Sequence, residues 1–565
     1  MALTLDATPL KVASLCDSIV TISQTIQQAT QPATQQTSVV IVGAGPTGLM
    51  LALQLAEQRI PFVLIDANAG PSIATKALVV QARTMEIYQR MGLAARALAV
   101  AQPVDAANIH IGGRAAVRLP LAQLGQGISP FPRLTALTQD QNEHLLGERL
   151  RELGGSVQWQ HRLIGIEQSS DGARAAVQTP DGQVVTVTAD WVAGCDGAHS
   201  AVRHLCAIDF PGAPYQQVFY VADVQARGPM TAGELTIFLW SDEFHFFFPM
   251  QAAGAEQSHY RLIGVVPTLL RQVDDLKFED LSDAIHKRMG GQFVVSQVNW
   301  FSPYRIHHRR ADRFSSGRCF LLGDAAHIHS PAGGQGMNTG LQDAFNLGWK
   351  LALVCHGQAA ATLLDSYAAE RIPVAERLLK TTDRAFAAIT SPSRLAQALR
   401  TRIAFIIAKT LMQLTAVQRL AFRIISQTAI SYRHSPISVN SDAVAHRAPH
   451  AGDRMPWLQL RLNDEIAPSD LYLQMSGSCF HLILWRQDSA SVAELHALTK
   501  LQPNLLKILL IQDAPGNAIA LKQHAISGPC ALLVRPDGYI GFTIRHVSGA
   551  ALQHYFEDVL RVRLG

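Results

Sequence analysis

Three stretches hold residues whose types and spacing could do chemistry, and each joins a short apolar run to a glycine turn. The first is Gly43-Ala44-Gly45-Pro46-Thr47-Gly48, which follows a β-branched run at 38–42 and precedes an apolar stretch at 49–58. A second run, 61–65, ends at Asp66. A strand, GxGxxG, a helix and a second strand closed by an acid about 20 residues on form the dinucleotide fingerprint. Gly43 permits the tight turn, Gly45 admits a diphosphate, and Gly48 lets helix and strand pack. The helix N-terminus turns free N–H groups towards the phosphates. The second stretch, 318–352, reads RCFLLGDAAHIHSPAGGQGMNTGLQDAFNLGWKLA and leaves a carboxylate, Asp324, at the end of a buried run. Pro331, Gly333, Gly334 and Gly336 then strip side chains from a loop, so its amides can approach a ligand. A helix begins at about Asn338, its packed face marked by Leu341, Ala344, Phe345, Gly348, Leu351 and Ala352. Its N-terminus points at whatever the loop holds and favours negative charge there by ~0.3–1 kcal/mol at an exposed site. The third stretch, WVAGCDGAHSAVR at 191–203, places Asp196 beside Gly197 at another strand tip. Alone, it reads better as a type I′ turn.

These stretches need a large frame. At 565 residues the chain exceeds a single core and suggests several domains, and 48% hydrophobic with 16% charged residues indicates a folded protein. A net charge of +4 without a long Lys/Arg run argues against nucleic acid as a partner. Seven cysteines without CxxC spacing argue against a zinc site or a disulfide framework, and a reducing cytoplasm is the expected compartment. No basic segment precedes an apolar core at the N-terminus, and no run reaches ~18 apolar residues, so neither export nor a membrane span is expected. His307-His308 and His327-x-His329 lack carboxylate or cysteine partners at ligand spacing, and loop histidines bonded to backbone are the expected reading, with no metal.

In chain order, residues 1–36 are rich in Gln, Thr and Ala and read as a flexible extension, where a frayed terminus is favoured over a weak amphipathic helix at 10–26. Lys76 and Arg83 precede a helix and could reach a nucleotide phosphate or be solvated charges. A helix starts after Leu137, with Asp140 as a plausible cap and Gln139 placed to bond a cofactor chain. Strands at 157–168, 173–179 and 184–188, joined by Asp-Gly turns, suggest an antiparallel meander. From 211 to 304, strands at 217–224, 234–239, 244–248 and 261–266 suggest a second, mainly antiparallel sheet. In Phe244-His245-Phe246-Phe247-Phe248, alternation puts His245 and Phe247 on one face. That face could line an aromatic pocket, with His245 and Phe247 as substrate contacts, but the favoured reading is that most of these aromatics are ordinary sheet core and only one or two touch a substrate. A helix at 364–388 is expected to be interrupted at Pro373, and a second helical region covers 395–426. From 448 the order is strand 480–485, helix 492–500, strands 505–512, 531–535 and 539–543, then helix 549–562.

The three motifs, in this order and spacing, resemble the single-component FAD-dependent aromatic hydroxylases of the para-hydroxybenzoate hydroxylase class. The chain is more similar still to the longer phenol-hydroxylase-like members, which act on phenols and polyketide aromatics. The resemblance covers about 37–385 and implies an α/β architecture. A Rossmann-like FAD-binding domain (37–210 and 305–385) would carry an inserted, mainly antiparallel β-sheet substrate domain (211–304). A helical connection (386–447) and a C-terminal thioredoxin-like domain (448–565) would complete the chain, the latter without CxxC and serving as scaffold or dimer contact. By the same resemblance, Gly43, Gly45, Pro46, Thr47, Gly48 and Asp66 hold the ADP half of FAD, with Lys76, Arg83 and Gln139 in support. Asp324 binds the ribityl chain, and Pro331, Gly334, Gln335, Gly336, Met337 and Asn338 line the isoalloxazine. Asp196 and Gly197 are associated with both FAD and NAD(P)H. The class mechanism has NADPH or NADH reduce the flavin, O2 add at C4a, and the hydroperoxide pass one oxygen to an activated ring. A homodimer is expected from family habit. No WxW pair of the halogenase kind occurs, whereas an FAD-dependent reductase and a flavin-binding scaffold or sensor stay open as alternatives. The catalytic base is unassigned.

Overall fold

A computed structural model describes residues 34–563 apart from 73–76, 232, 241–242, 251–257, 268–269, 271–275, 330–333, 391–413, 443 and 476. Residues 1–33, Lys76 and Pro331 therefore lie outside the described residues, as does most of the helix expected from 395. The β-branched run near the start becomes β1 (Thr34–Val42), succeeded by α1 (Pro46–Glu57) and β2 (Phe62–Asp66). β1 lies between β2 and β3 (Val184–Gly194), parallel to both, and the short strand Cys319–Leu321 runs parallel to the far side of β3. Helices cover such a sheet on both faces, so Val39, Val40 and Ile41 are fully buried. Register sets where the loops emerge. Val42 pairs with Ile65 and Gly194, and Gly194 with Leu321. The turns carrying Gly43, Asp66, Asp196 and Asp324 thus leave the sheet side by side at its carboxyl edge, where ligands of open α/β sheets bind.

The second sheet is built around β4 (Gly212–Arg227), β5 (Phe244–Pro249), β6 (Ser258–Val265) and β7 (Val294–Arg310), with β6 and β7 antiparallel to β4 on its two sides. Its far edge comes from another part of the chain. The strand Leu235–Leu239 pairs in parallel with Ala107–Ile111, which forms a hairpin with Arg114–Leu119. The sheet therefore draws on residues well before 211. The signal for this hairpin is Gly112-Gly113 between alternating apolar residues, and both glycines take positive φ, 57° and 80°, as a tight hairpin turn requires.

α2 (Gly336–Cys355) is buried from Asn338 to Leu353 and packs against α1, where Gly348 leaves room for the Gln54 side chain. α3 (Asp365–Thr390) runs unbroken through Pro373, contrary to the expected interruption. Glu370 and Arg371, in the turn that the proline weakens, are pinned by buried ion pairs. α4 spans Thr415–Ile425. The C-terminal unit is a five-stranded sheet in the order Val439–Asn440, β11 (Ile540–Ile544), β10 (Cys530–Val534), β8 (Phe480–Trp485), β9 (Leu506–Ile511), with β8 and β9 parallel. Helices Ser489–Leu501, Pro515–Gln523 and Gly549–His554 accompany it. The middle one is hidden in the sequence because Pro515-Gly516 reads as a turn, whereas Pro515 sits at the first helical position, where a missing N–H costs nothing.

Candidate active site

A cavity of about 600 Å³ opens at the carboxyl edge of the parallel sheet and continues beneath the antiparallel one. Gly45, Pro46, Thr47, Gly197 and Asp324 line one end, and Gly334, Gln335, Gly336 and Met337 lie at the start of α2. The other end is walled by Leu235, Ile237, Phe244, Phe246, Phe248 and Phe422. Among the described lining residues, only Arg133 and Asp324 belong to the charged types Asp, Glu, Lys and Arg. One wall is thus polar and backbone-rich, the other apolar.

The polar end fits a dinucleotide on the residues present. A Cβ at Gly45 would meet nothing within 4 Å, so this turn is bare where it faces the cavity. α1 begins with Pro46 and has no acidic residue in its first turn, leaving its positive end unopposed for a diphosphate. Gly43 and Gly48 do not line the cavity; they set the turn. Gly43 has φ +100° and its Cβ would stand 2.4 Å from the Cys195 carbonyl oxygen, while a Cβ at Gly48 would stand 1.9 Å from that of Gly43. Asp66 accepts from Ala44 N at 2.7 Å through one oxygen and from Asn68 N at 2.8 Å through the other. Each oxygen keeps a lone pair for a ribose hydroxyl. Asp324 is exposed between buried neighbours, and Gln139 lines the cavity. The Asp196 carboxylate accepts from Val202 N at 3.1 Å, and burial raises its pKa, while Gly197, with φ +74°, lines the cavity.

Four expectations are corrected. Arg83 does not reach the cavity. It is 1% exposed, pairs with Glu86 at 3.1 Å and donates to the Asp537 carbonyl at 2.5 Å, so it joins the helix Ala82–Arg90 to the C-terminal unit. Asn338 is saturated by protein: its Oδ1 accepts from Gln81 N and Thr84 Oγ1 at 2.8 and 2.7 Å, and its Nδ2 donates to the carbonyls of Val79 and Gly334 at 2.8 and 2.9 Å. It shapes the loop and is not itself a lining residue. His245 and Phe247 take the opposite face of β5. His245 bonds the Tyr220 hydroxyl at 2.5 Å, and Phe247 packs edge-on against Phe238 and Phe293 in the sheet core. The cavity face belongs to Phe244, Phe246 and Phe248. Alternation gave the two faces; it could not say which was which. Finally, His327 bonds a carboxylate, Asp343, instead of backbone.

Part of the apolar wall is invisible to sequence reading. Ala107 and Leu119 come from the early hairpin, and Phe422 and Ile425 from α4. Phe422 lies close enough to Gly125 that a Cβ there would meet its ring at 2.4 Å. Nothing local marks such residues, because each sits in an ordinary amphipathic element.

The glycine turn, the carboxylates at strand ends, the buried helix and the apolar slot fit one class of enzyme, which binds a dinucleotide beside an apolar cavity. Residues 36–382 match the FAD binding domain family. The chain is 32% identical over 520 residues to a 6-methylpretetramide 4-monooxygenase of Streptomyces rimosus, covering 89% of this chain and 90% of that protein. It is 32% identical over 428 residues to a pentachlorophenol 4-monooxygenase of Sphingobium chlorophenolicum, covering 75% and 76%. The structure of an anhydrotetracycline hydroxylase from Streptomyces rimosus superposes with a TM-score of 0.72 at 29% identity, covering 94% of this chain and 99% of that one. The chain belongs to the FAD-dependent aromatic hydroxylases and is a flavin-dependent monooxygenase. No helix among the described residues is long and apolar enough to cross a membrane.

Proposed function

We propose that this enzyme hydroxylates a large, mostly apolar phenolic or polyketide-type aromatic, consuming NAD(P)H and O2. The observation that carries this reading is the apolar slot, lined by Phe244, Phe246 and Phe248 from β5 and by Phe422 and Ile425 from α4, with Arg133 the one cation among its described lining residues. Such a wall takes up ring area and gives little to a small acid. Bound FAD would supply electron transfer from the nicotinamide and the activation of O2. The chain does the rest. Gly45 and the α1 terminus would hold the diphosphate, Asp66 a ribose and Asp324 the ribityl chain. The half-buried α2 terminus, with Gly336 and Met337, would stabilise negative charge on the ring system. The apolar wall would exclude water and orient the substrate ring. A phenol reacts best after losing its proton, and His329, which lines the cavity beside Gly336, is the residue of suitable type to take it. One O2 and one NAD(P)H with a proton give a hydroxylated product, oxidised cofactor and water.

We read the C-terminal unit as thioredoxin-like, supported by its parallel β8–β9 pair flanked by antiparallel β10 and β11. Cys479 and Cys530 have no CxxC partner, and burial raises both thiol pKa values, so a scaffold role suits it better than disulfide exchange. A homodimer and a cytoplasmic setting complete the reading. The test is NAD(P)H consumption by the FAD-loaded enzyme across phenols of increasing ring number, with and without O2. The expected result is faster consumption with fused-ring phenols and a product one oxygen heavier. If no aromatic accelerates consumption and no oxygen is incorporated, the reading is wrong.

A further inference from the structure

The segment 323–329 carries three cavity residues, Asp324, Ile328 and His329, and crosses from the parallel sheet to β7, where His327 and Ile328 pair with Arg310 and Arg309. One buried carboxylate holds it. Asp343 of α2 accepts from Gly323 N at 3.0 Å and from His327 Nε2 at 2.7 Å through the same oxygen. Its other oxygen accepts from Arg371 Nε at 2.6 Å. Arg371 is held in turn, donating to the Thr339 carbonyl at 3.1 Å and the Tyr432 hydroxyl at 2.8 Å. Asp343 and Arg371 are completely buried and His327 is 2% exposed. Burial disfavours the Asp343 carboxylate, but Arg371 and His327 outweigh it and its pKa falls below the ordinary value. The carboxylate can only accept, so His327 carries a proton on Nε2.

The geometry points to Asp343 and Arg371 as positioning residues of the flavin site: the pair fixes both ends of 323–327, and so sets Asp324 and the Ile328–His329 wall against the first turn of α1. The assignment rests on the reading that this cavity holds FAD. The close fit around Thr47 shows why a small shift would be felt. A Cβ on Gly323 would stand 2.7 Å from Thr47 Oγ1, and one on Gly340 would stand 2.4 Å from it. The segment, the first turns of α1 and α2, and a cavity-lining threonine therefore meet with no slack. A merely structural ion pair would need only Arg371. This one commits an entire oxygen to two points of a segment that lines the site.

The test compares Asp343→Asn and Arg371→Lys with wild type in the full chain. The readouts are FAD dissociation constant, visible spectrum of the bound flavin, thermal midpoint of the FAD-free protein, and kcat against KM. Asp343→Asn should weaken FAD by about tenfold or more, the scale of one lost charged hydrogen bond, and shift the flavin spectrum. Arg371→Lys, which keeps the charge, should recover part of both. A lowered midpoint with FAD affinity within about twofold and an unchanged spectrum would reduce the pair to a core ion pair. Should Asp343→Asn fail to fold, His327→Phe, which has no donor and keeps the ring packed on Phe314, removes one of the two bonds to the segment and keeps the Asp343–Arg371 pair. An unchanged FAD constant and spectrum in that variant overturns the proposal. Wild-type protein that binds FAD but oxidises no aromatic would sink the hydroxylase reading alone, because the flavin readouts need no turnover.

Discussion

Two regions of this molecule gather charged side chains, and they use them in opposite ways. At the carboxyl edge of the parallel sheet, Asp324 is exposed and Asp66 half-buried, and each Asp66 oxygen has accepted one backbone bond and can accept another. Between α2, α3 and the C-terminal sheet, Glu370 is enclosed. One oxygen accepts from Arg535 at 2.5 Å and Ser435 at 2.7 Å, and the other from Lys350 at 2.8 Å, Asn346 at 2.6 Å and Arg535 at 3.0 Å. Arg535 also pairs with Asp537, whose backbone carbonyl accepts from Arg83. On the proposed function, the same residue types would serve a ligand where they keep room to accept, and they serve the fold where they are saturated. Residue type alone does not indicate chemistry; remaining hydrogen-bonding capacity at a cavity does.

The sharpest way to break the contrast is to remove the centre of the closed network. Glu370→Ala leaves Arg535 and Lys350 buried without their carboxylate and should destabilise the protein by about 3–5 kcal/mol in denaturant unfolding. A pH scan adds a sign. Burial opposes ionisation of Glu370, yet Arg535 and Lys350 hold its pKa well below the ordinary value. Its contribution is therefore present above the unfolded pKa of roughly 4.3 and is lost as pH falls through the folded value. Wild type should lose stability below about pH 4 more steeply than Glu370→Gln. Equal acid slopes would show that the carboxylate is not carrying that charge.

Adjacent residues of β5 make the same comparison for apolar side chains. Phe247 is fully buried in the sheet core, so Phe247→Ala should cost about 3–5 kcal/mol of stability. Phe246→Ala should cost distinctly less stability and instead raise KM for the aromatic substrate, because its ring faces the cavity. Reversed effects would mean that the strand's faces have been misassigned.

The frame of the candidate site was legible because it is written locally: a glycine turn, its preceding strand and a terminal acid all lie within one short span. The register that brings Val42, Gly194 and Leu321 together then comes from parallel pairing. Arg83, Asn338 and the faces of β5 were not legible. Whether a guanidinium meets a phosphate or the Asp537 carbonyl depends on a C-terminal hairpin far away in sequence. Whether Phe246 or Phe247 faces the ligand depends on which side the helix Phe278–Arg288 covers, and Phe278, Leu281 and Ile285 lie with Phe247. The early hairpin and α4 escaped for the same reason, since only tertiary packing turns them towards the slot.

At the open edge, Gly45→Val should leave thermal stability nearly unchanged, since a Cβ there meets no heavy atom beyond its chain neighbours within 4 Å. It should weaken FAD by about tenfold or more, because the branched side chain takes space that a diphosphate needs. Loss of stability without loss of FAD affinity would place Gly45 in the closed class.

The smallest effect on stability is expected at Arg133. Its pairing with Asp105 at 3.3 Å is between side chains each 54% exposed, so Arg133→Gln should change unfolding free energy by less than about 0.5 kcal/mol. Its place in the cavity wall makes it matter elsewhere. If the cation meets the ionised or hydrogen-bonding substituent of a ring substrate, the variant should raise KM for acidic phenols more than for neutral ones and leave kcat close to wild type. If KM for both rises equally, the guanidinium acts only as surface. If kcat falls instead, Arg133 takes part in the reacting arrangement, and the division between a polar flavin end and an apolar substrate end would have to be redrawn.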